Sequence, residues 1–268
     1  MKSGLFITTA VLYALSCVLY LAVLTRGSES VRRFCNTVLA AAVGAHLAFL
    51  TLDGPTPSEL PMSDIAQVLS MSAFGIALLF LVSTFRFNVT VLGAFVAPIS
   101  LMLFLASGLG ASYAPVSAEV KTVMLRLHIA ANIFGLAAFA LAFAAGVAYM
   151  VQERLLRRRK LGGLFQRLPS LNALDRIGLR ATLVGFPLLT FGMVTGTFWL
   201  LKGDSSGFFV SQALGLVAWS IFAAVIVMRV AAGWQGRRAA VGTILGFLCT
   251  LLVLFGYAVR AAAAGGGL

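Results

Sequence analysis

The sequence predicts an all-α membrane protein, a bundle of eight transmembrane helices. Of its 268 residues, 60% are hydrophobic and only 10% are charged, with a mean hydropathy of +1.01. About a quarter of the residues in a soluble domain are charged, so these few charges do not cover a water-exposed surface. They lie between long apolar blocks, which is the pattern of a chain that crosses a bilayer repeatedly.

Each apolar block is long enough to cross about 30 Å of hydrocarbon at roughly 1.5 Å per residue. The blocks predict spans at residues 4–24, 34–52, 65–83, 88–107, 123–151, 181–201, 209–229 and 239–259. The first resembles a signal peptide, but it is longer than a signal-peptide core and no A-x-A-like cleavage site follows it. We therefore expect a retained first helix and a single transmembrane domain over residues 1–268.

Lys and Arg are distributed unequally between the two sides of the predicted bundle. Fifteen of the twenty lie in the connections after the first, third, fifth and seventh spans. The other side has the remaining five, which are Lys2, Lys121, Arg126, Lys202 and Arg260. Because cytoplasmic connections are enriched in Lys and Arg, both termini are predicted to lie outside the cytoplasm. The expected location of the protein is a bacterial inner (plasma) membrane. The same topology accounts for the net charge of +12, and we expect no nucleic-acid binding.

One connection, residues 152–180, is long and strongly basic. Ser170 follows a proline and precedes an apolar-periodic segment, which predicts a helix N-cap. We expect a short amphipathic helix along the cytoplasmic interface, with its arginines facing the anionic lipid of the bilayer.

The predicted spans contain almost no ionisable residue, and no Asp or Glu lies at a helix centre. This disfavours ion-coupled transport. The only two imidazoles, His46 and His128, are each predicted five or six residues from the outer end of a span, roughly 8–9 Å deep. Two imidazoles facing each other across a bundle are able to ligate a haem iron from both sides. Each could equally make a polar contact between helices.

Two further residues accompany His128 in the fifth span. Asn132 lies one turn further along, on the same helix face. Arg126 lies near the outer surface, where it could pair with a haem propionate or extend its side chain to the interface. Zinc is disfavoured, because the sequence offers no further His, Cys or carboxylate at this level.

Three separated stretches carry recognisable motifs. They are residues 168–177 (LPSLNALDRI) continuing into 185–192 (GFPLLTFG), residues 233–239 (GWQGRRA), and residues 127–129 (LHI) at the start of the fifth span. In this order they resemble the cytochrome c assembly superfamily of CcsA and CcmC proteins, and within it the shorter HemX- and YpjD-like branch.

The resemblance implies that histidines and a tryptophan-rich outer loop hold haem for delivery to apocytochrome c. His128 matches the outer histidine of the superfamily, and His46 looks like the second-span histidine of the shorter branch. Together with their depth, this predicts haem b in the outer leaflet, with His46 and His128 as axial ligands of the iron and Asn132 and Arg126 alongside. The implied partners are haem, other cytochrome c assembly proteins or apocytochrome c, and the lipid bilayer.

The chain also departs from the family pattern. Residues 201–210 (LKGDSSGFFV) contain no tryptophan, and Met228-Arg229 occupy the region of the histidine that precedes the GWQGRRA segment. A late outer histidine is also absent from the sequence. We therefore do not expect this chain alone to ligate haem to apocytochrome. We also do not expect it to be an enzyme, because no nucleophile–base pair or phosphate loop is recognisable.

The predicted function is a membrane haem-handling protein that assists cytochrome c maturation. Two alternatives stay open. One is a cofactor-free interaction or regulatory protein of tetrapyrrole metabolism that acts through its basic cytoplasmic connection, as the resemblance to HemX-like proteins implies. The other is a small-molecule exporter, which the lack of buried carboxylates and of an inverted repeat disfavours.

Overall fold

The computed structural model describes residues 2–26, 29–52, 65–87, 89–108, 123–200 and 208–265. Within these ranges the chain forms α-helices and no strand. The helices are α1 (Lys2–Arg26), α2 (Glu29–Leu52), α3 (Ile65–Arg86), α4 (Gly93–Ser107), α5 (Val123–Arg157), α6 (Leu164–Arg167), α7 (Leu171–Leu200), α8 (Phe208–Ala231) and α9 (Arg237–Gly265). A short 3-10 turn, Thr90–Leu92, precedes α4.

Eight of the described helices are long and apolar enough to cross a membrane, and α6 with its four residues is the exception. The predicted fold class is confirmed. The orientation of the termini stays a prediction that rests on the distribution of Lys and Arg.

The helices pack in two groups. In the N-terminal group α1 packs on α2 and α4, and α3 packs on α4. In the C-terminal group α5 packs on α7 and α9, and α8 packs on α9. The contact between α3 and α5 is the main junction of the two groups, and smaller contacts join α4 to α5 and α3 to α9. The buried face of α5 is rich in small residues, which lets neighbouring helices approach closely without a large side chain between them.

Two glycines mark these close approaches. A Cβ at Gly146 would lie 3.3 Å from the Ala240 carbonyl oxygen, where α5 meets α9. A Cβ at Gly185 would lie 2.8 Å from the Phe139 ring, where α7 meets α5. The glycines of the GFPLLTFG segment therefore serve helix packing at this contact.

The connection between α5 and α7 differs from its prediction. Instead of a separate interfacial helix, residues 171–180 are the first turns of α7, which continues to Leu200. Their apolar stripe is covered by protein, because Leu174 and Ala181 are buried and Gly178 lies against α5 at Ala142 and Ala145. Ser170 Oγ accepts the Ala173 N–H at 3.3 Å, as an N-cap does.

Candidate functional site

The start of α5 and the end of α7 meet in a group of polar side chains. His128 on α5 is half-buried, and its Nδ1 lies 2.7 Å from Thr195 Oγ1 on α7. One turn along α5, the Asn132 amide nitrogen donates to the His128 carbonyl oxygen at 2.8 Å and lies 3.2 Å from His128 Nε2. These contacts hold the imidazole against α7.

The hydrogen bonds of Thr195 favour one tautomer of His128. Thr195 Oγ1 donates its hydrogen to a carbonyl of its own helix, that of Phe191 at 2.7 Å or Gly192 at 3.1 Å. Its oxygen is then an acceptor towards the ring, so His128 Nδ1 carries the hydrogen. Nε2 consequently bears the lone pair, in agreement with an Asn132 amide that donates to it.

The glycines of α7 and one residue of α8 complete this group. A Cβ at Gly192 would overlap the Asn132 amide, and a Cβ at Gly196 would lie 3.3 Å from His128 Cε1. Gln212 on α8 donates from Nε2 to Thr197 Oγ1 at 2.7 Å. We call His128, Asn132 and Thr195 the outer polar cluster, because the distribution of Lys and Arg predicts that this end of α5 lies outside the cytoplasm. Thr197 and Gln212 lie beside it.

Of the four site residues predicted from the sequence, the structure brings together His128 and Asn132. Arg126 is exposed, and a residue two positions before His128 lies on a different face of the helix. The side chains of three other basic residues predicted on this side, Lys121, Lys202 and Arg260, lie outside the described part of the chain. The connection at 201–207, which corresponds to the tryptophan-rich loop of the resembled family, also lies outside it.

His46 lies in a different environment. It is fully buried on α2, with Nδ1 at 2.9 Å from the Tyr13 hydroxyl and Nε2 at 2.9 Å from Ser70 Oγ. The rings of Phe104 and Phe74 pack edge-on against it, with centroids at 4.5 and 5.5 Å. Because a neutral imidazole has one N–H and one lone pair, one hydroxyl accepts and the other donates. Both ring nitrogens are thus engaged, and we call His46, Tyr13, Ser70, Phe74 and Phe104 the His46 cluster.

The two histidines lie in separate groups of helices. The contacts of His46 come from α1, α3 and α4, whereas the described hydrogen bonds of His128 come from α5 and α7. Among the described residues, no hydrogen bond or ring contact joins the two imidazoles. A haem held by both would have to extend from one helix group to the other, and the pairing of His46 with His128 stays a prediction.

A second polar contact joins two of the sequence motifs at the opposite end of α7. Asp175 accepts two hydrogen bonds from the Arg229 guanidinium, both at 2.9 Å, and its Oδ1 also accepts the Gly236 N–H at 3.0 Å. Both side chains of the pair are largely buried. Gly236 has a φ of +67°, and a Cβ there would lie 2.5 Å from the Tyr149 hydroxyl.

This contact gives the LPSLNALDRI and GWQGRRA segments a structural role. Asp175 binds the end of α8 through a planar, two-pronged ion pair with Arg229, and it fixes the loop between α8 and α9 by accepting the Gly236 N–H. The sequence revealed both segments but no partner for either. Two features of the sequence could have indicated this contact. They are the single carboxylate of the LPSLNALDRI segment, Asp175, and an arginine shortly before the GWQGRRA segment, Arg229.

Within the described residues, no group of three or more His, Cys, Asp or Glu side chains is placed to hold a metal ion. The outer polar cluster offers a metal one nitrogen ligand, His128 Nε2. A metal bound there would therefore need its other ligands from a cofactor or another source.

Comparison with known proteins gives a consistent set of matches. Residues 62–261 match the family model described as cytochrome C assembly protein. The cytochrome c biogenesis protein CcsA of Guillardia theta is 24% identical over 218 residues, which cover 73% of this chain and 72% of that protein. The CcsA proteins of Prochlorococcus marinus (strain MIT 9515) and Trichormus variabilis are each 36% identical, over 85 and 93 residues. These two matches cover 31% and 34% of this chain but only 27% and 26% of the relatives.

Proposed function

The chain belongs to the cytochrome c assembly protein family, and from this premise we propose that it binds haem b at its outer polar cluster during cytochrome c maturation. It is a multi-pass membrane protein, and its family supports a cytochrome c assembly role. The cofactor, the site residues and a location in the bacterial inner membrane are part of the proposal, as is membership of the HemX- and YpjD-like branch.

The observation that carries the proposal is the contact of His128 Nδ1 with Thr195 Oγ1 at 2.7 Å. Histidines that ligate a metal commonly donate their other ring N–H to a neighbouring acceptor, which fixes the orientation of the ring. His128 has this arrangement, because Thr195 holds Nδ1–H at 2.7 Å and Nε2 bears the lone pair. Haem would supply an iron for Nε2 to bind and two anionic propionates.

Asn132 and Arg126 have distinct roles in this proposal. To admit a ligand at Nε2, the Asn132 amide gives up the longer of its two hydrogen bonds, at 3.2 Å, and keeps the one to the His128 carbonyl at 2.8 Å. Arg126 is exposed at the start of α5, two residues from His128, so a propionate can reach its guanidinium without desolvating it.

His46 as the second axial ligand is kept as a prediction. Ligation through either ring nitrogen would break a hydrogen bond to Tyr13 or Ser70, and it would open a pocket among packed aromatic rings. The spectrum of a variant at each histidine separates the two cases, because loss of one axial imidazole changes the spin state of the iron.

The test is the absorption spectrum of the full chain, purified in mild detergent from cells grown with excess haem precursor. We expect a haem b spectrum in the wild type that is lost in His128→Ala and restored by added imidazole. His46→Ala is the comparison variant. A six-coordinate spectrum lost there as well, in protein whose elution volume and helix content match the wild type, would make His46 the second ligand. A wild type without haem after loading, or an unchanged spectrum in His128→Ala, would contradict the proposal.

One observation favours the alternative of a cofactor-free interaction protein. Arg154, Arg158, Arg159 and Lys160 are exposed at the end of α5, and only their neighbour Arg157 forms an ion pair, with Glu153, in the described part of this connection. This basic surface suits an acidic partner. Replacing Arg158 and Lys160 with glutamine would abolish such an interaction and leave the haem spectrum intact.

A further inference from the structure

A cleft of about 600 Å³ opens between α3, α5 and the first half of α7. This volume lies within the range of about 300–1,000 Å³ that is typical of ligand sites. The cleft shares no lining residue with the outer polar cluster or with the Asp175–Arg229 ion pair. The cleft is therefore a different site from the proposed haem site.

The cleft is polar at one end and apolar at the other. Arg176, Arg180 and Val184 line it from successive turns of α7, and positions four apart share one helix face. Both arginines are exposed, and Val184 lies about 6 Å further along the helix than Arg180. The facing wall is mainly apolar, with Phe87 just beyond the end of α3 and Leu79 two turns back along that helix.

The two arginines lack an anion. The adjacent carboxylate, Asp175, is bound by Arg229 and by the Gly236 N–H. In the part of the chain that the structure describes, Arg176 and Arg180 have neither a hydrogen bond nor an ion pair. Two guanidinium groups one helical turn apart thus flank the mouth of an apolar cleft without a counter-charge.

We propose that this cleft binds one anionic phospholipid, with its phosphate between Arg176 and Arg180 and an acyl chain along the apolar wall. Basic pockets between transmembrane helices on the cytoplasmic side recognise such headgroups, and the distribution of Lys and Arg predicts that this end of α7 is cytoplasmic. Haem suits the cleft less well, because no His, Cys or Met is among its described lining residues.

The test is native mass spectrometry of the full chain in detergent, with phosphatidylglycerol or phosphatidylcholine of identical acyl chains added. We expect one retained phosphatidylglycerol per chain and little phosphatidylcholine. Two surface arginines contribute about thirtyfold in affinity, so R176Q/R180Q should weaken phosphatidylglycerol binding by about that factor. The control R158Q/K160Q removes two exposed charges away from the cleft and should leave binding unchanged.

A second variant tests the apolar wall. Val184→Trp keeps both arginines and narrows the cleft at an exposed position, so retained lipid should fall although the charge is unchanged. Equal retention of the two lipids, or identical binding by R176Q/R180Q and the control, would overturn the proposal. A haem adduct lost in R176Q/R180Q would assign the cleft to haem instead. Elution volume and helix content check that each variant is folded.

Discussion

His46 and His128 are the only histidines in the sequence, and their surroundings contrast. His46 is fully buried, both its nitrogens are bonded to hydroxyls, and aromatic rings enclose it. His128 is half-buried, one nitrogen is fixed by a threonine and the other accepts a longer hydrogen bond from Asn132. The first environment is that of a polar group used to hold helices together, whereas the second presents a nitrogen lone pair near the end of a helix.

The contrast shows that burial alone does not identify a ligand site. A buried imidazole whose hydrogen bonds are all satisfied stabilises one arrangement of its neighbours. A partly buried imidazole with one nitrogen held by an acceptor is preorganised for a ligand at the other nitrogen. Variants at each cluster should therefore separate effects on stability from effects on haem binding.

The largest effect on stability is expected from His46→Ala. It creates a cavity between α1, α2, α3 and α4 and leaves the Tyr13 and Ser70 hydroxyls without their partner. We expect a loss of about 3 kcal/mol in the free energy of unfolding. The measurement is unfolding in mixed detergent micelles, with the helix signal followed by circular dichroism. A loss below about 1 kcal/mol would show that the His46 cluster is not a structural contact.

A smaller loss is expected from Gly192→Ala. The new Cβ would overlap the Asn132 amide, so the amide must move away from His128. We expect a cost of about 1–2 kcal/mol, as for other overpacked sites, together with altered haem binding. Gly44→Ala is the matched control, because it adds the same methyl group to an exposed position of α2 with open space around it. Indistinguishable unfolding of the two variants would contradict the close contact between α5 and α7.

The sequence predicted the fold class because the number and length of apolar blocks follow from hydropathy alone. It also predicted the pair of His128 and Asn132, since residues four apart on one helix are neighbours. It did not predict that His46 and His128 lie in different helix groups. Distance from the end of a span is counted along the chain, but which helices are neighbours is decided by packing.

Other parts of the site were hidden for related reasons. Thr195 and Thr197 look unremarkable in a sequence, because hydroxyls in apolar helices routinely bond to their own backbone. Gln212 comes from another helix, and its partner Thr197 is known only from the packing of α7 and α8. The first turns of α7 looked like a separate amphipathic helix, because an apolar stripe covered by α5 has the same period as one covered by lipid.

Thr195→Val tests the tautomer of His128. It removes the acceptor of Nδ1–H and keeps the shape of the side chain, so the ring loses the contact that fixes its orientation. We expect a loss of about 1 kcal/mol in stability and a ten- to hundredfold lower haem affinity, roughly the effect of losing such a supporting contact. Haem titration followed by absorbance measures it.

Thr197→Val is the control for that experiment. Thr197 lies two residues after Thr195 on α7. Its hydroxyl accepts a hydrogen bond from Gln212 of α8 and forms none with His128. Haem affinity should stay within about twofold of the wild type, less than the change expected at a supporting contact. If both valine variants lower the affinity equally, Thr195 has no special role in holding the imidazole.

The smallest effect is expected from Tyr13→Phe, which removes a single hydroxyl from the His46 cluster. The Phe ring keeps the edge-on packing against His46, whose ring centroid lies 5.6 Å from that of Tyr13. Hydrogen bonds between helices in membranes contribute about 0.6 kcal/mol on average. We therefore expect a loss of that order in the free energy of unfolding and no change in the haem spectrum. A changed spectrum would connect the His46 cluster to the haem site, because this substitution alters a partner of His46 and nothing in the described outer polar cluster.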